Sequence, residues 1–116
     1  MPLRGAVRAG DWVVVSGQVG HREFRLVTGG MEDELRQALS NLRDALEPHG
    51  GSMGDVVKTN ILLSDIADFA AMNHVYLEFF DLDRLPARTA CAVSGLPFGA
   101  LVEVEAWAYL PIDSAQ

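Results

Sequence analysis

The sequence predicts an α+β fold in which two helices cover one face of a mixed sheet. Three observations support this. β-Branched or alternating runs at 11–19, 55–65, 87–94 and 101–110 read as strands, and the stretches 31–51 and 66–80 carry apolar residues at helical spacing. The resulting order is β-α-β-α-β-β, with an additional strand placed at Leu3–Val7, and two helices suffice to cover one face of four or more strands.

Each element has a local reason. "DWVVVSGQV" (11–19) is β-branched and closes on Ser-Gly. "GHREFRLVTGG" (20–30) is bounded by glycine and reads as a loop with an extended piece at Phe24–Val27. In "MEDELRQALSNLRDALEPHGG" (31–51), Met31, Leu35, Ala38, Leu39, Leu42, Ala45 and Leu46 form one stripe. Glu32, Asp33 and Glu34 occupy the first turn, where the helix dipole favours negative charge. Pro48, Gly50 and Gly51 end the helix. Asp65 is placed to cap the second helix, with Asp68 three residues on. That helix presents Ile66, Phe69, Ala70, Tyr76 and Phe80 on one face, with the polar Asn73 inside the stripe. "DLDRLP" is a loop, and "GLPFGA" joins the last two strands.

The 116 residues suggest one domain, 1–116, long enough to bury a core without disulfides or metal staples. No apolar run approaches a membrane span, and the start, "MPLRGAVRAGDW", has no secretory or transit pattern, so a cytoplasmic location and no membrane partner are expected. The single cysteine, Cys91, rules out an intrachain disulfide. His21, His49 and His74 are scattered and share no ligand spacing with it, so no metal site is expected. His74 reads as a surface residue. The formal net charge is −7, and only one of the nine basic residues is a lysine. Displacing counterions from phosphates needs a basic patch; none is visible, so nucleic acid is not an expected partner.

The last strand alternates. Val102, Val104, Ala106, Ala108 and Leu110 suit the underside of the helices, whereas Glu103, Glu105, Trp107 and Tyr109 point the other way. Two large aromatics on an uncovered sheet face point to a homo-oligomer packed through Trp107 and Tyr109, with Glu105 structural or interface-forming; the alternative is a small patch on a monomer. One strand earlier, Arg88, Ala90, Ala92 and Ser94 share a face, opposite Thr89, Cys91 and Val93. If Arg88 lies on the glutamate face, it pairs with Glu103 or Glu105 and locks the final hairpin. Alternatively, its planar fork receives the carboxylate of a ligand. Cys91, on the other face, is expected to be a small core residue.

"SGQ" (16–18), "QALSNL" (37–42), "DVVKTNILL" (55–63), "LSDIADFAAMNHVYLEFF" (63–80), "PAR" (86–88) and "LPFGALVEVEAWA" (96–108) together resemble the RidA (YjgF) family. The resemblance runs from about Gly10 to Tyr109. It implies a chorismate-mutase-like fold and a homotrimer with ligand sites in the clefts between subunits. It also implies hydrolysis of reactive 2-enamino or 2-imino acids to a 2-keto acid and ammonia, without metal or organic cofactor. Arg88 matches the family arginine that binds the substrate carboxylate. Glu103, fifteen residues on, matches the glutamate that positions or deprotonates water. Ser16 and Gly17 match the "SG" that lines the site through hydroxyl and backbone N–H. Asn73 matches the asparagine of the second helix; alternatively its amide is satisfied by a loop backbone.

Two features depart from the family pattern. Many active members carry cysteine two residues after the arginine, where this chain has Ala90 lining the site. Deaminase members also begin with a further segment whose tyrosine reaches the ligand, whereas this chain has no aromatic before Trp12. Three readings follow: an imine hydrolase, a trimer that binds small carboxylates such as 2-keto acids without turnover, and an endoribonuclease, against which the acidic charge argues.

Overall fold

A computed structural model describes residues 2–112. Its main sheet has five strands in the order β1-β2-β7-β5-β6. They are β1 (Ala6–Ala9), β2 (Trp12–Gln18), β5 (Val56–Leu63), β6 (Ala87–Ala92) and β7 (Val102–Tyr109). All pairings are antiparallel except β5 with β6, so the sheet is mixed, as expected. The N-terminal strand exists but lies slightly later than Leu3–Val7, because it pairs with β2 through Ala6↔Val15 to Ala9↔Trp12.

The segment expected as a loop instead forms a two-stranded hairpin, β3 (His21–Arg22) with β4 (Arg25–Leu26). Its two-residue turn places both Glu23 and Phe24 at positive φ, 54° and 69°. Asn-Gly normally announces that geometry, and Glu-Phe gives no such signal.

Helix α1 (Met31–Leu46) is shorter than expected and gives way to a 3-10 turn at Glu47–His49. Sixteen residues make a marginal helix in water. Here the stripe decides the matter: Leu35, Ala38, Leu39, Leu42 and Leu46 are fully buried against the sheet, and each leucine contributes about 1.5–3 kcal/mol of transfer free energy. Helix α2 (Phe69–Tyr76), shorter than the expected 66–80, follows a 3-10 turn, Ile66–Asp68, in which Asp65 Oδ1 accepts from the Ala67 N–H at 2.9 Å. Its buried face is Met72, Val75 and Tyr76; Ile66, Phe69 and Ala70 are exposed. The packing face is therefore rotated from the expected stripe, and the Phe69–Asn73–Tyr76 side looks onto a groove.

Both helices lie on the face of Val13, Val15, Thr59, Ile61, Leu63, Val102, Val104, Ala106 and Ala108. The other face bears Trp12, Val14, Trp107 and Tyr109, all partly exposed, with Trp107 at 49%. Trp12 and Tyr109 pack edge to face, ring centroids 5.1 Å apart. Among the described residues no helix is long and apolar enough to cross a membrane.

The last two strands form no hairpin, because β5 lies between β6 and β7. Arg88 pairs in register with Thr59, and Thr59 with Ala106, both core-facing. Arg88 and Ala90 therefore face the helices. Leu62 pairs with Cys91 on one side and Glu103 on the other. Cys91 thus shares the open face with Glu103 and is exposed rather than buried in the core. Alternation fixes which residues share a face; only the pairing register decides which face that is.

Candidate active site

The expected site residues fall into two groups on opposite sides of the sheet. The first surrounds Arg88, at the start of the edge strand β6. Its guanidinium carbon lies 4.9 Å from the Tyr76 ring centre and 5.7 Å from that of Phe69, both on the α2 side. Its Nη1 donates to Met72 Sδ at 3.6 Å. Among the described residues no carboxylate pairs with it, neither Glu103 nor Glu105. The internal ion pair is therefore absent, and a planar cation is held against two rings with most of its donors unspent.

Asn73, Tyr76, Leu77, Leu85, Pro86 and Arg88 line a groove of about 350 Å³. The Tyr76 hydroxyl is engaged with Thr59 Oγ1 at 2.7 Å, and burial raises its pKa above the ordinary phenol value. Asn73 Oδ1 is buried and has no partner among the described residues. A satisfied amide would have bonded a loop backbone; this one keeps an open acceptor at the groove, which costs free energy unless something fills it. Ala90, one pleat beyond Arg88 on the same face, packs against the core beside Ile61.

The second group surrounds Glu103 on β7. Its carboxylate receives no hydrogen bond from the described residues. Partial burial raises its pKa above the ordinary glutamate value, and the neighbouring Glu105 charge adds to the effect. Glu105 is engaged otherwise, accepting from Asn60 Nδ2 at 2.7 Å across the strand pair. Beneath Glu103 the β2 strand bulges between Val15 and Gln18. The bulge brings Gly17 so close that a Cβ there would meet Glu103 Oε2, the free end of that side chain, so any larger residue at this position displaces the Glu103 carboxylate. Ser16 sits in the same bulge, but its hydroxyl donates to the Arg4 carbonyl at 2.6 Å and its N–H to the Gly5 carbonyl at 2.9 Å. It thus fastens the N-terminal segment and keeps only hydroxyl lone pairs to offer elsewhere. Gly17, Glu103, His21 and Phe98 line a hollow of about 310 Å³.

Arg88 and Glu103 do not meet within one chain. They lie on strands two places apart, roughly 10 Å in the sheet direction, and three residues apart in register, roughly another 10 Å, with side chains on opposite faces.

One supporting residue, Glu34, was legible only as a helix-dipole charge. Its side chain is 5% exposed, and its Oε1 accepts from the Leu101 N–H at 2.9 Å, two residues before Glu103. It holds the entry to β7 against α1. A signal exists in the periodicity, since Glu34 lies beside Leu35 and Ala38 on the stripe, but three consecutive acids disguise it. Among the described residues no three histidine, cysteine or acidic side chains converge as metal ligands.

Comparison with known proteins agrees with this architecture. A family model described as endoribonuclease L-PSP matches residues 2–110. A RutC family protein of Pyrococcus horikoshii is 41% identical over 110 residues, covering 93% of this chain and 86% of the relative. The 2-iminobutanoate/2-iminopropanoate deaminase of Mus musculus is 42% identical over 107 residues, covering 90% and 78%. The crystal structure of RidA from an Antarctic Psychrobacter superposes with a TM-score of 0.90 at 36% identity, covering 95% of this chain and 88% of the other. With a match that spans nearly every residue and a five-stranded mixed sheet under two helices, the chain belongs to the RidA/YjgF/L-PSP family.

Proposed function

We propose that this protein hydrolyses 2-imino acids, and their enamine tautomers, to 2-keto acids and ammonia, at sites built between the subunits of a homotrimer. The observation that carries the reading is Arg88: a half-buried guanidinium with no acidic partner among the described residues, in a groove beside the open acceptor of Asn73. The similarity to 2-iminobutanoate/2-iminopropanoate deaminases supports the same reaction.

The chemistry assigns the roles. The substrate carboxylate takes the fork of Arg88. The imine carbon bonded to it is electrophilic. Ionised Glu103 removes a proton from water as its oxygen attacks that carbon, and the protonated Glu103 passes that proton to the nitrogen, giving a neutral carbinolamine. Glu103 then takes the hydroxyl proton and returns it to the departing nitrogen, so the C–N bond breaks, ammonia leaves and the carbonyl forms. Overall, one imine and one water give one 2-keto acid and one ammonia. No electrons are transferred, so the reaction requires no redox cofactor.

In a 2-imino acid the anchored carboxylate and the reacting carbon are bonded neighbours. Arg88 and Glu103 of one chain are far too distant, and on the wrong faces, to hold both. Arg88 of one copy with Glu103 of the next supplies the pair, and the aromatic open face supplies the contact surface.

The test is release of ammonia and 2-keto acid from imines generated in situ by an amino-acid oxidase, with wild type and Arg88→Ala. Acceleration by wild type alone supports the hydrolase. If an intact oligomer gives no acceleration across several amino acids, the second reading, carboxylate binding without turnover, replaces it. That reading is favoured by the placement of the tyrosines: Tyr76 is bonded to Thr59 and Tyr109 lies among the open-face aromatics.

A further inference from the structure

Phe98 occupies the 3-10 turn Pro97–Gly99 just before β7, at φ 63° and with 68% of its surface exposed. A bulky residue at positive φ is strained, and its apolar surface is left in water. Core packing does not compensate. Its ring contact is His21, edge-on with centroids 4.5 Å apart and planes at 62°. The backbone under His21 is held firmly, since Asn41 Nδ2 donates to the carbonyls of His21 at 2.9 Å and Val19 at 3.1 Å. The imidazole itself makes no hydrogen bond with the described residues. These two rings, with the apolar Leu3, Val19 and Pro97, wall the hollow that contains Glu103.

We infer that His21 and Phe98 form the side-chain subsite of this enzyme and select 2-imino acids bearing a flat or bulky apolar substituent. The inference rests on the hydrolase reading of Glu103. With the carboxylate on Arg88 of the neighbouring copy and the imine carbon beside Glu103, the substituent on that carbon is the part of the substrate left to meet the two rings. An aromatic substituent adds an edge-to-face or offset contact and covers the exposed Phe98 surface. A methyl or ethyl group leaves that surface in water.

The test compares imines generated from phenylalanine and from alanine, for wild type, Phe98→Gly and His21→Ala. Wild type should favour the phenylalanine-derived imine in kcat/KM. Phe98→Gly, which suits the positive φ and should unfold at no lower temperature, should lower the phenylalanine-to-alanine ratio about ten-fold. His21→Ala should lower it in the same direction. An unchanged ratio in both variants overturns the subsite. Calorimetric binding of phenylpyruvate and pyruvate separates this outcome from failure of the hydrolase reading. Tighter binding of phenylpyruvate that is lost in Phe98→Gly supports the subsite even without turnover. Equal affinities, or binding of neither, overturn it. Binding that survives in Arg88→Ala refutes the anchor while leaving the preference measurement valid.

Discussion

Arg88 and Glu103 of one chain point to opposite faces of the same sheet, with strand β5 between their strands. The two groups that the proposed reaction needs on adjacent atoms are thus divided between the helix side and the open side. A second copy, docked on the open face, is the simplest way to join them.

Removing the guanidinium should therefore abolish binding more than folding. Arg88→Ala loses a charged, bidentate contact to the ligand carboxylate, expected to weaken 2-keto acid binding by about 2–5 kcal/mol, or ~30-fold at least. Its contacts within the fold are two rings and a sulfur, and a cation–π contact contributes only about 0.5–2 kcal/mol. Isothermal titration calorimetry and a thermal melt measure the two effects. Full affinity in the variant would refute the anchor role.

Glu103→Gln should retain ligand binding and lower kcat by about 100-fold or more. Wild type should show an acid limb in kcat/KM above the ordinary glutamate pKa, since burial and Glu105 raise it. The variant should lack that limb. The stability sign is the reverse of the usual carboxylate case. The native state keeps this proton to higher pH than the unfolded chain does, so the contribution of Glu103 to stability falls as pH rises through the window just above the ordinary glutamate pKa. Glu103→Gln should then be at least as stable as wild type at neutral pH, measured by urea denaturation at both ends of the window.

Trp107→Asp should dissociate the proposed oligomer, because it places a charge in the middle of the open aromatic face beside Val14. Sedimentation velocity measures the mass, and activity should fall with it. An intact oligomer in this variant would place the interface elsewhere.

Glu34→Leu should destabilise the fold by about 1–3 kcal/mol, since the Leu101 N–H loses its acceptor. Glu34→Gln, which keeps an acceptor oxygen, should recover most of that loss. Equal destabilisation by both would mean that the charge, rather than the hydrogen bond, holds the entry to β7.

The strands and the first helix were legible because their patterns are strong. The alternation in 101–110 and the leucine stripe in 31–46 each leave one face that only a core satisfies. The β3–β4 hairpin was hidden because Glu23 and Phe24 adopt positive φ without a glycine or asparagine. Helix α2 lies within the expected 66–80 but is shorter, Phe69–Tyr76, and turned differently, because it is apolar on several sides and Arg88, not the core, lies against Phe69. The face of Arg88 and Cys91 depends on the parallel register Arg88↔Thr59, a non-local pairing with no signature inside either strand. The proposed roles of Arg88, Glu103 and Asn73 rest on family resemblance; that Arg88 has no acidic partner and Asn73 Oδ1 no partner among the described residues is visible only in three dimensions.

The most direct measurement is complementation between Arg88→Ala and Glu103→Gln, unfolded together in equal amounts, refolded, and assayed for imine hydrolysis. Each variant alone should be inactive. If every site takes Arg88 from one copy and Glu103 from the next, random association restores about a quarter of the sites, and activity should return in that proportion. A mixed oligomer that stays inactive, while wild type carried through the same refolding is active, would contradict a site shared between subunits.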